Sequence, residues 1–450
     1  MLKDRFRKIR LSSVQLVVLF YLIAVLLSTF LISLPIAHKP GVELSLIDAL
    51  FTAVSAVSVT GLTVVSTVDT FNIVGIFILA FVLQFGGIGV MTLSTFVWLL
   101  IGKKIGLKER QMIMTDQNQS TLSGLVKLMR HIIGLIFIIE AIGALVLGTY
   151  YLQFYDSWQE AYLHGFFASV SATTNGGFDI TGESLKTFAD DYFVQFIHIL
   201  LIVTGAIGFP VLIEVKEFLF SRKSGTPYKF SLFTKLTSMT FLILVAFGTF
   251  AIWIMEMNSF FSEKSWHQSF FYSFFQSITT RSGGLATMDV NEFSNPTQML
   301  MSALMFIGAS PSSVGGGVRT TTFAIVLLAI FFFAKGKDTI KIFGREVHQE
   351  DVHKSFVVFS VAILLWSLSI LILAIVEPFS TTSIVFEVSS AFGTTGLSMG
   401  ITPDLSKIGK ILIIILMFIG RIGILSFLFM IRGNLIRERF RYPVERVIIG

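Results

Sequence analysis

The sequence contains no cysteine and few charged residues. Of its 450 residues none is Cys, nine are Pro, and Asp, Glu, Lys and Arg together make up 14%. The absence of Cys excludes a disulfide framework, a thiolate nucleophile and a cysteine metal site. Hydrophobic residues make up 54% of the chain, and the mean hydropathy is +0.80. This composition is too apolar for a soluble domain and is typical of a protein that crosses a membrane several times.

Motifs that carry catalysis or phosphate binding are also missing. The seven His residues show no metal-ligand spacing, and the Gly-rich runs at 86–89 and 315–318 have no flanking strand, Lys or βαβ context. An intramembrane enzyme such as a protease is the main alternative of a different class. Ser312 and Ser313, however, lack a GxSG-type context with a suitably placed His. The sequence therefore predicts that the protein is not an enzyme.

One short polar pattern occurs four times in this apolar chain. It reads SAVSVTGL at 55–62, SATTNGGF at 171–178, ITTRSGGL at 278–285 and AFGTTGL at 391–397. A fixed period with one matched segment per unit indicates an internal repeat. Four polar loops in an apolar chain predict a ring around one axis, because rings of backbone carbonyls replace the hydration shell of an ion within a membrane.

Each unit contains, in this order, a long apolar segment, a short segment, one copy of the polar pattern and a second long apolar segment. The long segments meet the roughly 20 residues needed to cross hydrocarbon, and the short ones do not. We therefore predict an all-α integral membrane protein of four pseudo-repeats, with eight transmembrane spans and four re-entrant half-helices around a central pore. The predicted spans are 13–34, 73–101, 131–152, 193–220, 232–256, 298–334, 355–376 and 407–431, and the half-helices are 46–58, 161–173, 267–278 and 383–392. The repeats occupy residues 1–110, 111–225, 226–350 and 351–450, the last with a C-terminal tail.

Positive charge is distributed unequally in this topology. Twenty-six of the 34 Lys and Arg residues fall in the two termini and in the three connecting segments on the same side, whereas five fall on the other side. An excess of Lys and Arg marks the cytoplasmic side of a membrane protein. Both termini are therefore predicted to be cytoplasmic, and every half-helix is predicted to enter from outside.

The half-helices predict a cation site without a buried carboxylate. A half-helix that ends within the membrane points its C-terminal carbonyl groups, the negative end of its dipole, toward the interior. Glycine permits backbone conformations that turn carbonyls toward the axis. Thr60, Thr174, Thr280 and Thr395 are expected to add hydroxyl groups or to tie the loops to their surroundings. The alternative, that each glycine only allows close helix packing, does not explain four copies in register.

A second constellation interrupts the last span of the third repeat, in the run IGASPSSVGGGVRTTTF at 307–323. Pro311 cannot donate a backbone hydrogen bond, and three consecutive glycines disfavour a helix. We predict a broken helix with a loop, because irregular backbone in a membrane is tolerated only where it is buried or lines a water-filled cavity. The alternative is a bend without function.

Three arginines lie within predicted membrane segments. Arg421 is expected to face the pore, because an intramembrane arginine is costly and usually faces a water-filled path or a partner charge. The alternative is an ion pair, for which Glu140 is a candidate. Arg281 lies in the third polar segment and is expected to point away from the axis and to brace its loop against an Asp or Glu of a neighbouring half-helix. Arg319 is expected to cap the broken loop.

The four-unit pattern with one glycine per loop resembles the Trk/Ktr/HKT superfamily of potassium transporters, and most closely the Ktr membrane subunit of KtrB or KtrD type. The runs VSVTGLTVV at 57–65, GKKIGLKER at 102–110, AFGTTGLSMGITPDL at 391–405 and MFIGRIG at 417–423 carry the resemblance. It implies potassium uptake through a selectivity filter, and Gly61 favours K⁺ because plant relatives selective for Na⁺ carry Ser there. With the loop residues before each glycine, the expected filter comprises Val59, Thr60, Gly61, Asn175, Gly176, Gly177, Ser282, Gly283, Gly284, Thr394, Thr395 and Gly396.

The resemblance also implies a gate below the filter. An intramembrane loop maps onto the segment from Gly308 to Gly317, and Arg421 acts as an electrostatic barrier or as a latch against it. The expected gate residues are Gly308, Ser310, Pro311, Ser312, Ser313, Gly315, Gly316, Gly317 and Arg421.

Partners and ions follow from the same resemblance. It implies a homodimer in the cell membrane, on a cytosolic ring of nucleotide-binding regulatory subunits of RCK type similar to KtrA or KtrC. The expected docking surfaces are the loops 102–130 and 335–354 and the tail 437–450, and contact with membrane lipids is the alternative. No cofactor and no nucleic acid is expected. K⁺ at the filter is the only expected metal ion, with Na⁺ as an activator, and a Na⁺ or mixed Na⁺/K⁺ transporter of the same fold is the alternative.

Overall fold

The computed structural model describes residues 12–89, 92, 105–116, 124–220 and 228–431, together with residues 442, 443, 445, 447 and 448. Parts of the loop 102–130 and most of the tail 437–450 lie outside the described residues. Within the described residues the regular secondary structure is helical apart from one short pair of strands.

The first two predicted repeats contain the helices α1 Ser13–Ile32, α2 Leu46–Val57, α3 Thr67–Thr70, α4 Ile73–Ile88, α5 Leu107–Asp116, α6 Leu125–Tyr151, α7 Trp158–Thr173, α8 Tyr192–Ala206 and α9 Phe209–Phe220. The last two contain α10 Leu232–Glu256, α11 Trp266–Thr279, α12 Asn295–Ile307, α13 Thr320–Ala334, α14 Gln349–Val376, α15 Thr381–Gly393, α16 Lys407–Ile422 and α17 Ile424–Ile431. Between α13 and α14, the strands β1 Lys341–Ile342 and β2 Arg345–Glu346 form an antiparallel hairpin.

Within the described residues, four helices are long and apolar enough to cross a membrane: α1, α6, α10 and α14. A single continuous helix over either of the predicted spans 193–220 and 407–431 is wrong, because each range is divided into two helices. The chain bends by 108° between α8 and α9, and it bends by 101° between α16 and α17. A glycine with positive φ, Gly208 or Gly423, stands between the two halves, and glycine adopts that conformation without steric cost.

Four short helices, α2, α7, α11 and α15, lie at the predicted half-helices and are named the pore helices. Each begins after a serine whose side chain accepts a backbone N–H of the first turn: Ser45, Ser157, Ser265 and Ser380. A serine in this position stabilises a helix start by about 1 kcal/mol. The pore helices are 12 to 16 residues long, roughly 18–24 Å at the rise of an α-helix. They are therefore shorter than a hydrocarbon core of roughly 30 Å.

The helices of the four predicted repeats pack around one another. Buried apolar clusters join the first repeat to the second and the fourth, the second to the third, and the third to the fourth. In addition, Lys410 Nζ in α16 lies 2.8 Å from Asp48 Oδ1 in α2. The first and the fourth predicted repeats are thus neighbours in space, and the pore helices surround one region.

Candidate functional site

The site is built at the C-terminal ends of the pore helices. These helices end at Val57, Thr173, Thr279 and Gly393. The segments that follow, named the glycine segments, are Val59–Gly61, Asn175–Gly177, Ser282–Gly284 and Thr394–Gly396. The last carbonyls of a helix carry partial negative charge. Each glycine segment therefore lies where a helix terminus favours a cation.

A backbone hydrogen bond ties each glycine segment to its own pore helix, and it reaches back five residues in the first, second and fourth segments and four residues in the third. The residue before the glycine donates its N–H to a helix carbonyl: Thr60 to Ser55 at 2.8 Å, Gly176 to Ser171 at 2.7 Å, Gly283 to Thr279 at 2.7 Å, and Thr395 to Ser390 at 2.8 Å. The chain is thus turned sharply back at one equivalent position in all four repeats.

The backbone of each glycine segment alternates in handedness. Its first residue has a φ between 47° and 76° and its glycine a φ between 66° and 96°, whereas the residue between them has no positive φ. A non-glycine residue with positive φ is uncommon, so four of them at equivalent positions reflect one local requirement. The four glycine segments therefore share one pattern of φ angles, and their backbone carbonyl oxygens are the groups that they can offer to a cation.

The four glycines form a closed ring. A Cβ built on Gly61 would lie 2.9 Å from the Cα of Gly177, and one built on Gly177 would lie 3.0 Å from the Cα of Gly284. A Cβ on Gly396 would lie 3.2 Å from the Cα of Gly284 and 3.0 Å from the Cα of Gly61. The ring therefore has no room for a side chain at any of its four members.

Hydroxyl groups hold the ring in two different ways. In the first and fourth repeats, Ser55 Oγ and Ser390 Oγ accept the N–H of the ring glycine at 3.1 and 3.0 Å. In the second and third repeats, Ser171 Oγ and Thr279 Oγ1 donate to the carbonyl of the residue after that glycine at 2.5 and 2.6 Å. The four glycine segments therefore have similar backbones but use two kinds of side-chain hydrogen bond, one in the first and fourth segments and the other in the second and third.

The four threonines with predicted hydroxyl roles divide unequally. Thr174 Oγ1 and Thr280 Oγ1 each donate to a carbonyl of their own helix at 2.7 Å, and Thr60 Oγ1 lies 2.7 Å from Ser58 Oγ. Thr395 Oγ1 is buried and has no hydrogen-bond partner among the described residues. Three of the four hydroxyls thus make hydrogen bonds within their own pore helix or the residues directly after it, and that of Thr395 makes none with the described residues.

The loop 308–317, between α12 and α13, lies directly against the glycine segments. A Cβ built on Gly315 would lie 2.6 Å from the Cβ of Ser282, and one built on Gly316 would lie 2.6 Å from Cγ2 of Thr394. The loop is also bound to the break between α8 and α9 by backbone hydrogen bonds: Ser310 N to Ala206 O at 3.1 Å, Val314 N to Gly205 O at 3.1 Å, and Phe209 N to Ser312 O at 2.8 Å.

Arg319 closes the loop 308–317 from its C-terminal end. Its Nη1 donates to the carbonyl of Ser310 at 3.4 Å and to the carbonyl of Gly315. Thr320 Oγ1 adds a hydrogen bond of 3.1 Å to Ser310 Oγ. The predicted cap is confirmed, and these contacts satisfy loop carbonyls that no helix satisfies.

Arg421 bridges the loop and the end of α4. It lies in the last turn of α16 and is 8% exposed. Its Nη1 donates to the carbonyl of Val314, and its Nη2 donates to the carbonyl of Gly86. The alternative of an ion pair with Glu140 is wrong, because Glu140 instead accepts a hydrogen bond of 2.7 Å from Gln84 Nε2 and no ion pair among the described residues includes Arg421.

A cavity of about 140 Å³ adjoins the loop. A space of this size holds several water molecules. The residues that line it include Pro311, Ser312, Ser313, Gly317, Arg319 and Arg421. Two arginine side chains and the backbone of the loop therefore line the same cavity.

Arg281 is fully buried in the third repeat. Its Nη2 donates to the carbonyl of Leu304 in α12. The expected Asp or Glu partner is wrong, because none of the ion pairs in the described part of the chain includes this arginine. A backbone carbonyl is a good acceptor for a guanidinium, and one from the neighbouring α12 takes the place of a carboxylate.

The sequence analysis missed a second fourfold feature. In each repeat an Ile–Gly pair follows the ring glycine by 24 to 31 residues: Ile88–Gly89, Ile207–Gly208, Ile307–Gly308 and Ile422–Gly423. All four of these glycines have a φ between 63° and 101°, and a helix ends beside each of them. The recurring Ile–Gly pair was the available signal, but only the break of the third repeat was predicted.

Comparison with known proteins supports one family. The model of the TrkH family, described as cation transport protein, matches residues 8–437. The chain is 62% identical to Ktr system potassium uptake protein D of Bacillus subtilis, over 98% of each chain. It is 34% identical to potassium/sodium uptake protein NtpJ of Enterococcus hirae, over 100% of this chain and 99% of that one.

A solved structure shows the same fold. The crystal structure of the potassium transporter TrkH from Vibrio parahaemolyticus matches with a TM-score of 0.74 and 19% identity, over 96% of this chain and 87% of that one. The helical architecture is therefore that of a known ion transporter.

Proposed function

The chain belongs to the TrkH family of cation transport proteins, and from this premise we propose that it takes up potassium as the ion-conducting subunit of a Ktr-type system. It is a transporter and not an enzyme, and the relatives that it matches are named as uptake proteins. The observation that carries the proposal is the closed ring of Gly61, Gly177, Gly284 and Gly396 at the ends of four pore helices.

The glycine segments are the proposed selectivity filter. Their carbonyl groups replace the water around a dehydrated K⁺ ion, and the negative ends of four helix dipoles favour its charge. The missing side chains at the ring allow the four backbones to approach within contact distance. K⁺ at this filter is the only metal ion we propose.

The loop 308–317 and Arg421 are the proposed gate. The loop contacts Ser282 and Thr394 of the filter, and Arg421 holds it through the carbonyl of Val314. A fixed positive charge beside a narrow, low-dielectric path raises the energy of a passing cation. The gate therefore opens when the loop and Arg421 move away from the axis together.

A Na⁺ or mixed Na⁺/K⁺ transporter is the second candidate. The relative from Enterococcus hirae that is named for potassium and sodium uptake favours it. Gly61 favours K⁺, because the plant relatives of the family that are selective for Na⁺ carry Ser at this position. Replacing external K⁺ by Na⁺ in a flux assay separates the two candidates, and adding Na⁺ at fixed K⁺ tests the proposed Na⁺ activation.

We also propose a homodimer in the cell membrane, with cytoplasmic termini and a cytosolic nucleotide-binding partner ring of RCK type. The names of the Ktr system relatives support a partner subunit. Of the three predicted docking surfaces, the loop 335–354 is the one that lies wholly within the described residues. It contains the β-hairpin, whose turn residue Phe343 is 41% exposed, and its strand residues Lys341 and Glu346 form an exposed ion pair of 3.7 Å.

Growth of a bacterium that lacks its own K⁺ uptake tests the function. Expression of this chain, with and without a co-expressed regulatory subunit, is expected to restore growth at low K⁺. A chain with all four ring glycines replaced by Ala, at equal membrane abundance, is the negative control. Growth that the ring variant also restores would contradict the proposal.

A further inference from the structure

Glu140 is a buried acid that contacts one polar side chain of a different helix. It lies in α6 and is 6% exposed, and its Oε2 accepts a hydrogen bond of 2.7 Å from Gln84 Nε2 in α4. The other oxygens of the two groups, Glu140 Oε1 and Gln84 Oε1, are buried as well. Neither has a hydrogen-bond partner among the described residues.

We propose that Glu140 is protonated and forms a two-way acid–amide pair with Gln84, and that this pair positions the end of α4 for Arg421. An ionised carboxylate has acceptors only, so Glu140 Oε1 and Gln84 Oε1 would then both lack a donor. A proton on Glu140 Oε1 supplies that donor. In the proposed pair, Gln84 Nε2 donates to Glu140 Oε2, and the protonated Glu140 Oε1 donates to Gln84 Oε1.

The surroundings favour the uncharged form. Burying an unpaired carboxylate costs far more than burying a carboxylic acid, and no ion pair among the described residues includes Glu140. Helix α4 has no charged residue. The titratable or charged groups described on the other helices that contact α6 are Glu160, Tyr162 and His164 on α7, Tyr192 and His198 on α8, Glu214, Lys216 and Glu217 on α9, and Glu109 and Arg110 on α5. None of them hydrogen-bonds to Glu140 in the described structure.

The pair joins three elements around the site. Gln84 lies two residues before Gly86, whose carbonyl accepts from Arg421. On the same α6 residue, the backbone carbonyl of Glu140 accepts a hydrogen bond of 2.8 Å from Ser169 Oγ in the pore helix α7. Glu140 is therefore a positioning residue: it fixes α4 relative to a pore helix, and α4 carries one of the two carbonyls that hold Arg421. This role rests on the proposed gate, whereas the protonation does not.

Infrared spectroscopy of the full chain in lipid tests the protonation at neutral pH. We expect Glu140→Gln to remove a band of a protonated carboxylic acid. Glu350→Gln is the matched control and should remove none, because Glu350 is 64% exposed and paired with Lys354. If the spectrum of Glu140→Gln keeps every carboxylic acid band of the wild type, the proposal is overturned, whatever the transport activity of the protein.

Flux assays in proteoliposomes test the positioning. Glu140→Gln keeps a two-way pair of amides, and the exchange Glu140→Gln with Gln84→Glu keeps an acid–amide pair. Both are expected to transport K⁺ within about twofold of the wild type. Glu140→Leu leaves Gln84 unpaired and is expected to raise K⁺ flux per folded protein above the range of these two variants, because α4 then no longer holds the carbonyl of Gly86 against Arg421. Flux that changes as much in the exchange variant as in Glu140→Leu would overturn the positioning role. If Glu140→Leu does not fold, the exchange variant compared with Gln84→Leu decides the same point.

Discussion

We expect the substitution Gly61→Ser to lower the preference of the transporter for K⁺ over Na⁺. Gly61 has a φ of 91°, and a Cβ there would lie 2.7 Å from the carbonyl oxygen of Gly176 and 2.9 Å from the Cα of Gly177. Both neighbours are backbone atoms of the ring, so no side-chain rotation relieves the contact. The serine must displace the backbone of the first or the second glycine segment.

The size of the effect follows from two costs. A residue with a Cβ in left-handed backbone costs about 1–2 kcal/mol, and overpacking a well-packed site costs about 1–3 kcal/mol. Together they place about 2–5 kcal/mol of strain in the ring. If about 1.4 kcal/mol of this strain weakens K⁺ binding more than Na⁺ binding, the selectivity falls about tenfold.

Competition of K⁺ uptake by Na⁺ in proteoliposomes measures this change. Gly41→Ser is the matched control, because Gly41 has a φ of 83° but a Cβ there would meet no atom within 4 Å. The control carries the backbone strain without the steric contact, so its selectivity should equal that of the wild type. Wild-type selectivity in correctly folded Gly61→Ser would remove Gly61 from the filter and refute the reasoning from the ring.

One deletion and two substitutions test the proposed gate and the contact between α2 and α16. Deletion of the segment from Ser310 to Gly316 is expected to raise K⁺ flux and to weaken dependence on a regulatory subunit, because it removes the backbone that lies against the filter; lower flux in a folded protein would make the segment structural. Arg421→Gln is expected to raise flux per folded protein on the order of tenfold with little change in selectivity, because it removes a fixed positive charge from the path; unchanged flux at normal stability would place Arg421 outside the path. Asp48→Asn is expected to lower the free energy of unfolding by about 1–3 kcal/mol, because the Asp48 and Lys410 side chains are only 21% and 13% exposed. Thermal unfolding measures this loss. Glu350→Gln in the exposed pair of Glu350 and Lys354 is the control, and it should lower the free energy of unfolding by less than about 1 kcal/mol. Equal losses of stability in Asp48→Asn and Glu350→Gln would contradict the reasoning from burial.

Much of the helical framework could be predicted because its signals are local. A polar segment in an apolar chain is visible without any partner, and its repetition at similar spacing marks the units. The pore helices were found for the same reason, and the structure begins the second one at Trp158, three residues before its predicted start. The breaks at Gly208 and Gly423 were not found, because an Ile–Gly pair also occurs within continuous apolar helices and glycine there costs only about 1 kcal/mol.

The partners of the buried arginines could not be predicted. The sequence analysis placed Arg281 away from the axis but gave it a carboxylate, whereas it donates to the carbonyl of Leu304. Every residue carries a backbone carbonyl, so composition cannot indicate which one a guanidinium will reach. The same holds for Arg421 and Val314, which are 107 residues apart in the chain.

The sequence by itself determined that the protein is an apolar, helical chain with four glycine segments, because periodicity and hydropathy are properties of the chain alone. Only the tertiary structure decided that the four glycines touch, that the loop 308–317 lies against Ser282 and Thr394, and that Glu140 pairs with Gln84 and not with Arg421. Apart from the contact of the loop with Ser282, which lies within the third predicted repeat, these contacts join different predicted repeats. They depend on how whole helices pack, and packing is set by the shapes of many side chains together.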